Sequence, residues 1–349
     1  MAVVTSYHLI VFRIKSEANV QSDAIDFPAV SIVISVKNGS GALLKNLDRL
    51  CDQHYPTFEV IIVDDHSHEE ERIILEKGVE ANSKVRLLYS ERPPGKKQAL
   101  SQGIQEAFHD LILCTDADCY PAGPNWINQM VMHTNGNKMV LGYSPYEKRS
   151  GFLNRLIRFE TQMTGMQYLS WAMVGNPYMG VGRNILYPRS LFLKEDPYKD
   201  KRHIPYGDDD LWVQMAAGVS EVKVCFDNQA HVLSSPATTV TQWLRQKHRH
   251  LSAGHHYDVK SWWQPAGFAI AFILQWALLL PLLFMSGSMW VGVFFILGLL
   301  LRWQTHAKWT KGLGDTDTNK WFPVLEIIYA VYLAGMSLFT SIFKKKAWK

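Results

Sequence analysis

Short apolar runs alternate with helix-like stretches over the first third of the chain, and this alternation allows only a few folds. The apolar runs are rich in β-branched residues and occupy residues 29–36, 58–65, 85–90 and 110–118. Because these runs are apolar without interruption, they predict parallel strands that are covered on both faces. Helices are predicted between them, over residues 41–53, 69–81 and 97–108. The repeat predicts an α/β fold with an open, doubly wound sheet, whose ligands bind beyond the carboxyl ends of the strands.

Polar residues follow the predicted strands at the points where a ligand would bind. Asn38 and Gly39 come after the first strand, in a turn that either lets the backbone approach a ligand or only leads into a helix. Asp65 ends the second strand, where it either caps the next helix or accepts hydrogen bonds from a nucleoside. After the third strand, Gly95 and Lys96 open a helix whose first N–H groups suit a phosphate, although a solvated basic helix end would have the same sequence.

The fourth predicted strand ends in two aspartates, Asp116 and Asp118, that are one residue apart. Carboxylate oxygens are ligands that Mg²⁺ and Mn²⁺ prefer, and Mg²⁺ often bridges carboxylates and substrate phosphates. The same spacing recurs at residues 208–210 and 315–317, but only the pair at Asp116 follows a strand and shares its edge with three other strand ends. We therefore expect a Mg²⁺ or Mn²⁺ site there, with His231 either a further ligand or a packed strand histidine.

A second acidic cluster, Asp208, Asp209 and Asp210, opens a predicted helix. The helix dipole stabilises negative charge at this end, so capping explains one or two of the carboxylates but not all three. Like charges this close raise the pKa of at least one of them, which suits a group that accepts a proton near neutral pH. The cluster is therefore a candidate general base.

Two further segments carry candidate binding residues. Gln246 and Arg249 lie one helical turn apart in a stretch dense in Arg, Lys and His, and they either reach a diphosphate or belong to a basic patch at a membrane surface. The glycine-rich segment at residues 175–188 contains Gly182 and Arg183. Its glycines permit close approach to an acceptor, and Arg183 suits an anionic group. An ordinary glycine-rich turn is the alternative.

The last quarter of the chain is much more apolar than the rest. Residues 265–285 carry no charge over about the length that crosses a bilayer, and residues 289–301 follow after a Ser-Gly-Ser break, which predicts a helical hairpin in a membrane. A third run, residues 321–343, contains Glu326 and is followed by three lysines that this topology would place outside the cell, against the positive-inside rule. One segment is therefore expected to lie in the interface, and three buried helices of a soluble protein are the alternative.

Composition narrows the class of protein further. The 349 residues, 47% of them hydrophobic, suffice for a full core and a second region. The net charge of +4 is too small for a general polyanion binder, so no nucleic-acid partner is expected. Four cysteines without a C-x-x-C pair indicate neither structural zinc nor a disulfide framework, and they fit a reducing compartment. The N-terminal apolar run is too short for a signal peptide, and a truncated membrane segment is the alternative.

Five motifs, in order along the chain, resemble those of the family 2 glycosyltransferases of the membrane-associated bacterial type. These are inverting enzymes with the GT-A fold that use nucleotide sugars. The motifs are VDDHS from residue 63, GKKQAL from 95, TDADC from 115, GDDDLW from 207 and RQKHRH from 245. The resemblance covers about residues 31–254 and implies a doubly wound, mixed but mostly parallel sheet, with a C-terminal membrane-embedded helical region.

The resemblance implies roles for the residues that match the donor side of the family pattern. Asp65 would contact the nucleoside and Lys96 would lie near the diphosphate. Asp116 and Asp118 would bracket the nucleotide and the divalent metal, with Asp118 as the principal metal ligand. Asn38, at the first strand end, is expected to bind the nucleotide sugar together with Gln246 and Arg249.

The matching residues on the acceptor side differ from the family pattern in two places. Asp208 corresponds to the general base, but Gly207 stands where many members carry glutamate, so the adjacent Asp209 is the alternative base. The family motif Gln-x-x-Arg-Trp ends here in His250, which replaces the tryptophan that supports the growing sugar in polymer-forming relatives. His250, Gly182 and Arg183 are expected on the acceptor side.

These features predict the transfer of one sugar from a nucleotide-diphosphate sugar, with a UDP-sugar favoured, to a hydroxyl of a membrane-held lipid or glycan. The alternatives are a processive polysaccharide synthase of the same family and a non-catalytic membrane scaffold. A glycoside hydrolase also uses paired carboxylates, but it needs neither the lysine-bearing turn nor a metal. The chain is expected to comprise an N-terminal segment (1–28), a GT-A domain (29–262) that faces the cytoplasm, and helices in the cytoplasmic membrane (263–349).

Overall fold

The computed structural model of the protein describes residues 2–7, 27–134, 138–198, 207–286 and 289–342. The chain divides into two compact units. The sheet unit comprises Glu17–Glu147 and Met179–Ser235, and the helical unit comprises Met1–Ser16, Lys148–Tyr178 and Pro236–Lys349. Much of the predicted N-terminal segment lies outside the described residues, as do the three lysines after the last apolar run. The domain boundaries inferred from the sequence stay a prediction.

The strands of the described residues all belong to the sheet unit. They are β1 (Val30–Val36), β2 (Phe58–Asp64), β3 (Val85–Tyr89), β4 (Leu111–Cys114), β5 (Cys119–Pro121), β6 (Met139–Gly142), β7 (Ile185–Pro188), β8 (Val222–Cys225) and β9 (Val232–Ser234). The main sheet has the order β3-β2-β1-β4-β7-β6-β8, and β5 pairs with β9 in a separate antiparallel ribbon.

The first four strands are all parallel to one another in the main sheet, and β6 and β8 form a second parallel pair. β1 pairs in parallel with both β2 and β4, and β2 pairs in parallel with β3. Successive residues of β1 and β2, such as Val33, Ile34, Ile61 and Ile62, are fully buried, as expected for strands that helices cover on both faces. β7 runs antiparallel to both of its neighbours. The predicted mixed, mostly parallel sheet is therefore confirmed.

The helices of the described residues are distributed over both units. They are α1 (Ala2–Ser6), α2 (Ser40–Cys51), α3 (Glu69–Val79), α4 (Lys96–Gln105), α5 (Trp126–Met132), α6 (Phe152–Met173), α7 (Arg189–Glu195), α8 (Asp208–Ala217), α9 (Val240–Leu251), α10 (Val259–Ala277), α11 (Leu279–Ser286), α12 (Met289–Gly312) and α13 (Phe322–Ile342). The three helices predicted between the first strands are α2, α3 and α4, with ends that lie within three residues of those predicted.

Helix α4 packs very closely on the parallel strands because it contains Gly103. A Cβ atom at this position would lie 2.7 Å from Cγ1 of Val33 and 2.9 Å from Cγ2 of Val63, which is closer than side chains approach one another. Only glycine allows this distance between the helix and β1 and β2. The first residue of α4, Lys96, is therefore placed by a close helix-to-sheet contact.

Strand β4 is shorter than predicted. The sequence suggested a strand over residues 110–118, but β4 ends at Cys114 and leaves Asp116 and Asp118 in the turn before β5. The backbone N–H of Cys119 donates to the carbonyl oxygen of Asp116 at 3.1 Å and closes this turn. The chain leaves the main sheet here because β5 belongs to the ribbon with β9, so the two aspartates lie beyond the sheet edge.

The third pair of aspartates separated by one residue (a D-x-D pair), Asp315 and Asp317, lies in the helical unit and forms ion pairs with an arginine. The Arg158 side chain, on α6, is only 3% exposed and forms ion pairs with both Asp315 and Asp317. Gln162, one turn further along α6, donates to Oδ2 of Asp315 at 3.0 Å. Nζ of Lys148 lies 3.4 Å from Oδ2 of Asp317. These carboxylates therefore join α6 to the segment that follows α12.

The C-terminal apolar runs form helices, but the first run is not the continuous span predicted. Among the described residues, one helical stretch, Asn319–Thr340, is long and apolar enough to cross a membrane. The first run is bent by 42° between Val259–Ala277 and Leu279–Met285. The second run forms the start of α12, which becomes polar from Arg302 onward. Length and composition thus support one span, or two if the bent pair is counted as one.

Glu326, whose charge made the third run difficult to place, is paired within the helical unit. Its Oε1 accepts a hydrogen bond from Nε of Arg302 on α12 at 2.6 Å, and both side chains are fully buried. A buried carboxylate is costly alone but is tolerated beside a cation that bonds to it. The pair therefore holds α12 and α13 together and explains how the third run accommodates an acid.

Candidate active site

Two aspartates in the turn between β4 and β5 lie close to the cysteine that begins β5. The potential ligand atoms of Asp116, Asp118 and Cys119 all lie within 4.8 Å of one another. Cys119 is buried, its Sγ donates to Oδ1 of Asp118 at 3.4 Å, and burial raises the pKa of its thiol well above the ordinary value. The thiol therefore keeps its proton, and the two carboxylates supply hard oxygen atoms. This donor set fits Mg²⁺ or Mn²⁺, which keep several waters and use few protein ligands.

Lys96, the first residue of α4, links this turn to the acidic start of α8. Its Nζ lies 2.8 Å from Oδ1 of Asp116 and 3.3 Å from Oδ2 of Asp208. Burial lowers the pKa of Lys96, but attraction to Asp116, Asp208 and Asp209 outweighs it and raises the pKa well above the ordinary value. Lys96 therefore stays protonated, as a positive charge between carboxylates from two separate elements.

The position of Lys96 depends on Asp65 at the end of β2. The two carboxylate oxygens of Asp65 accept hydrogen bonds from the backbone N–H of Gly95, at 2.9 and 3.0 Å. Gly95 has φ of 153°, a conformation that favours glycine. Asp65 is buried and does not cap α3, contrary to one of the two interpretations of its sequence position. Its predicted contact with the nucleoside stays a prediction.

Asn38 is the residue that bonds to the segment before α3. Its side-chain Oδ1 accepts a hydrogen bond from the backbone N–H of His68 at 2.8 Å, and its own N–H donates to Oγ of Ser67. Asn38 has φ of 50°, in the left-handed region that asparagine tolerates, and it is exposed. The backbone and the side chain of Asn38 therefore both bond to the segment that follows β2. The contact of Asn38 with a nucleotide sugar stays a prediction.

The acidic start of α8 places Asp208 and Asp209 in different environments. Oδ2 of Asp209 accepts a hydrogen bond from the backbone N–H of Gly182 at 2.8 Å. Burial and, next, the nearby charge of Asp208 raise the pKa of Asp209 to about 6. Asp208 instead faces the ammonium of Lys96. Because of these contacts, one carboxylate of the pair is paired with a cation and the other is held by a backbone donor.

A Cβ atom at Gly182 would lie 3.2 Å from Cβ of Asp209. The glycine-rich segment therefore approaches α8 closely because residue 182 has no side chain. The next residue, Arg183, donates to Oγ of Ser234 at 2.8 Å and to the carbonyl oxygen of Ser144 at 2.9 Å. Its guanidinium carbon also lies 4.8 Å from the ring centre of Tyr146. The acceptor-side role of Gly182 and Arg183 stays a prediction.

His231 packs as a structural histidine at the start of β9. Its ring lies edge-on to Tyr143 with 5.2 Å between ring centres, and Nε2 is 3.2 Å from the carbonyl oxygen of Phe226. Burial lowers its pKa to about 4, so the ring is neutral near pH 7. These contacts match the second of the two interpretations of His231, a packed histidine.

Gln246, Arg249 and His250 lie on α9 of the helical unit. Neighbouring side chains of α9 are packed: Trp243 stacks on Tyr332 of α13 with 4.7 Å between ring centres, and Lys247 is buried in an ion pair with Glu160 of α6. Gln246 and Arg249 are half-buried and His250 is exposed. The expected roles of these three residues toward donor and acceptor stay predictions.

The sheet unit thus contains most of the predicted site residues, namely Asp65, Lys96, Asp116, Asp118, Gly182, Asp208 and Asp209. Sequence reasoning missed three features of this site. Cys119 belongs to the acidic turn and follows Asp118 directly in the TDADC motif, so the motif itself contained that signal. The support of Gly95 by Asp65 and the bond from Gly182 to Asp209 join residues distant in sequence, and no local pattern indicates such pairs.

Residues 31–194 match the family model described as glycosyl transferase family 2. The chain carries a family 2 glycosyltransferase domain. The match includes β1 to β4, the turn with Asp116 and Asp118, and the segment with Gly182. The predicted family resemblance is therefore confirmed for this part of the chain.

Relatives of this glycosyltransferase domain include enzymes of different kinds. The undecaprenyl-phosphate 4-deoxy-4-formamido-L-arabinose transferase of Aeromonas hydrophila is 34% identical over 97 residues, which are 27% of this chain and 30% of that protein. The poly-β-1,6-N-acetyl-D-glucosamine synthase of Staphylococcus epidermidis is 22% identical over 247 residues, which are 70% of this chain and 59% of that protein. The chain therefore spans less than two thirds of either curated relative.

Among solved structures, the mannosyltransferase PcManGT from Pyrobaculum calidifontis, in complex with GDP-Man and Mn²⁺, superimposes with a TM-score of 0.55. The two chains are 14% identical, and the match covers 95% of this chain and 97% of the other. At this identity the likeness concerns the fold alone, and it agrees with the predicted GT-A architecture.

Proposed function

We propose that the protein transfers a sugar from a nucleoside-diphosphate sugar to a hydroxyl group of an acceptor, with inversion at the anomeric carbon. The observation that carries this proposal is the Lys96 ammonium between Asp116 and Asp208. Lys96 and Asp116 lie in the part of the chain that matches the glycosyl transferase family 2 model. The reaction needs a positive charge beside the leaving diphosphate, a carboxylate that binds the metal, and a base for the acceptor hydroxyl, all close together. Lys96, Asp116 and Asp208 would supply these three groups.

The donor side of the proposed reaction lies at the end of β4. Asp116 and Asp118 would hold Mg²⁺ or Mn²⁺, which when bound neutralises charge that develops on the leaving diphosphate. Lys96 adds a positive charge beside the same carboxylates. Asp65 keeps the start of α4 in place through Gly95. PcManGT was solved with GDP-Man and Mn²⁺, and the donor of the present protein is proposed to be a nucleotide sugar of this general class, with UDP-sugars favoured.

The base of the proposed reaction lies at the start of α8. Asp208 would accept the proton of the acceptor hydroxyl while that oxygen attacks the anomeric carbon from the face opposite the diphosphate. Asp209 has its Oδ2 bonded to the N–H of Gly182, and its raised pKa of about 6 makes it the alternative base. The bond from Gly182 favours Asp208 as the base, because the partner of Asp208 is a lysine side chain that can move, whereas the partner of Asp209 is a backbone N–H.

The acceptor is proposed to be a lipid or lipid-linked glycan held at the cytoplasmic membrane, with the sheet unit facing the cytoplasm. Many large apolar side chains on α10 to α13 are more than half exposed, among them Phe284, Met285, Met289, Trp290, Val331 and Ile342. An exposed apolar surface of this kind suits contact with lipid. The name of the A. hydrophila relative states that it acts on undecaprenyl phosphate, which supports an acceptor at a membrane.

Transfer of a single sugar is proposed in preference to processive synthesis, because His250 stands where polymer-forming relatives have a tryptophan. One of the relatives is a polysaccharide synthase, so product length separates the two possibilities. A product that carries one added sugar supports the proposal, whereas a ladder of products supports a synthase.

The base assignment is tested with Asp208→Asn and the matched variant Asp209→Asn. We expect Asp208→Asn to bind the nucleotide sugar with near-native affinity while transfer falls by at least about a hundredfold, because general-base catalysis contributes that much or more. Unchanged turnover in Asp208→Asn, together with loss of turnover in Asp209→Asn, would move the base to Asp209. Unchanged turnover in both variants would contradict the proposed mechanism.

A further inference from the structure

The Lys96 ammonium contacts two carboxylates that the proposed function gives different tasks. It lies 2.8 Å from Oδ1 of Asp116, one of the proposed metal ligands, and 3.3 Å from Oδ2 of Asp208, the proposed base. A divalent cation bound to Asp116 would therefore lie close to the Lys96 ammonium, which is already at hydrogen-bond distance from the same carboxylate. Because like charges at such separations repel strongly in a partly buried site, the lysine and the metal oppose each other there.

The backbone that carries Lys96 is held firmly, so the ammonium can move only through the side chain. The N–H of Gly95 donates to both oxygens of buried Asp65. Further along α4, a Cβ atom at Gly103 would lie 2.7 Å from Val33 and 2.9 Å from Val63, so the helix is already close to the sheet at this point. A lysine side chain has four rotatable bonds and a compact charged end, so it can exchange one anion for another while its Cα stays in place.

We propose that the Lys96 ammonium competes with the divalent cation for Asp116, and that the donor diphosphate relieves this competition by offering the ammonium a different anion. The inference rests on the proposed function, because it takes the end of β4 as the metal and donor site. It assigns to Lys96 a positioning role in addition to the neutralisation of the diphosphate.

Two consequences follow from this competition. Metal and donor tighten each other's binding, since the donor removes a cation that opposes the metal, and the coupling acts equally in both directions. The same movement takes the ammonium away from Asp208. The proposed base therefore loses its cationic partner only once the donor is in place, which favours the order donor first and acceptor second.

The inference makes a prediction opposite in sign to that of a simpler role. If Lys96 only binds the diphosphate, its removal leaves the affinity for metal alone unchanged. If Lys96 competes with the metal, its removal strengthens the binding of metal alone and weakens the binding of the nucleotide. The affinity for Mn²⁺ without nucleotide therefore separates the two roles without any measurement of activity.

The experiment measures Mn²⁺ binding to the detergent-purified full chain by electron paramagnetic resonance, with and without UDP or GDP. Lys96→Met removes the charge, Lys96→Arg keeps it, and Lys45→Met removes an exposed lysine on α2 as the control. We expect Lys96→Met to bind Mn²⁺ alone about tenfold more tightly than the native protein, an order of magnitude set by loss of one partly solvated charge. We expect native affinity in Lys45→Met, and we expect Lys96→Arg to remain close to native.

The second expected result concerns coupling. The factor by which the nucleotide tightens Mn²⁺ binding should fall in Lys96→Met and persist in Lys45→Met. Equal or weaker Mn²⁺ binding in Lys96→Met would overturn the competition while leaving the metal site intact. If Lys96→Met is unstable, Lys96→Gln keeps a polar side chain without the charge and carries the same expectation. Failure of the native protein to bind Mn²⁺, with or without nucleotide, would instead overturn the proposed function along with this inference.

Discussion

The Asp116 and Asp118 pair in the sheet unit and the Asp315 and Asp317 pair in the helical unit have the same spacing but different surroundings. Asp315 and Asp317 bond to the buried guanidinium of Arg158, which takes up both carboxylates at once. Asp116 contacts a lysine that it shares with Asp208, and Asp118 is exposed. A guanidinium bonded to both acids leaves little attraction for another cation, whereas a shared, half-buried ammonium leaves considerable attraction.

The comparison teaches that carboxylate spacing alone does not define a metal site. Whether two carboxylates can bind a metal depends on which cationic side chain lies beside them and on how firmly that side chain is held. Arg158 is fixed in planar, paired bonds that suit a structural role. Lys96 ends in a single mobile charge. The two pairs therefore have the same sequence pattern, but their surroundings suit them to different roles.

The largest expected effect is on catalysis. Asp118→Ala should lower sugar transfer by at least about a thousandfold, because the charge on the leaving diphosphate would lose a stabilising contact of several kcal/mol. Asp317→Ala, the matched change in the helical unit, should leave turnover of the folded protein within about threefold of native. The measurement is the rate of transfer from labelled nucleotide sugar. Equal losses in the two variants would remove the distinction between the pairs.

The next largest effect is on stability, and it is expected at the aspartate pair of the helical unit rather than at that of the sheet unit. Arg158→Met should destabilise the helical unit by about 3 to 5 kcal/mol, since it leaves two carboxylates without their buried cation. Thermal unfolding of the detergent-purified protein measures this change. Lys148→Met serves as the control, because Lys148 is 66% exposed beside Asp317 and a surface pair contributes at most about 1 kcal/mol. A drop in melting temperature for Lys148→Met as large as that for Arg158→Met would contradict the structural assignment of this cluster.

The sheet unit illustrates how far sequence patterns lead. Continuous apolar runs predicted β1 to β4 because parallel strands are buried on both faces. β6, β7 and β8 were not predicted, since each has only four residues and short apolar runs do not distinguish strands from buried helices. The strand ends located Asp65, Lys96 and Asp116 because the carboxyl ends of parallel strands share one edge.

The helical unit shows where sequence patterns fail. Arg158 and Asp315 are 157 residues apart, so no local pattern indicates that the arginine occupies the third D-x-D pair. Glu326 looked out of place in an apolar run because its partner, Arg302, belongs to another helix. The helical unit is also assembled from three separate chain segments, an arrangement that composition along the chain does not reveal.

The smallest effect expected is a pH dependence from Asp209. Its pKa of about 6 in the folded protein exceeds the ordinary value of 3.8. The folded state therefore binds more protons than the unfolded state between these values, and the free energy of unfolding falls as pH rises through this window and is constant above it. The fall amounts to at most about 3 kcal/mol.

Asp209→Asn should remove this slope, whereas Asp317→Asn should leave it in place. Unfolding measured at several pH values between about 4 and 7 checks both variants. The same slope in Asp209→Asn as in the native protein would show that Asp209 does not titrate in this way.

The most direct test of the metal and donor site at the end of β4 is a calorimetric titration of UDP and GDP into the detergent-purified full chain, with and without Mn²⁺. The native protein should bind one of these nucleotides in a Mn²⁺-dependent manner, and Asp118→Ala should lose that dependence while Asp317→Ala retains it. Nucleotide binding of equal strength with and without Mn²⁺, unaffected by Asp118→Ala, would contradict the assignment of Asp116 and Asp118 as the metal and donor site.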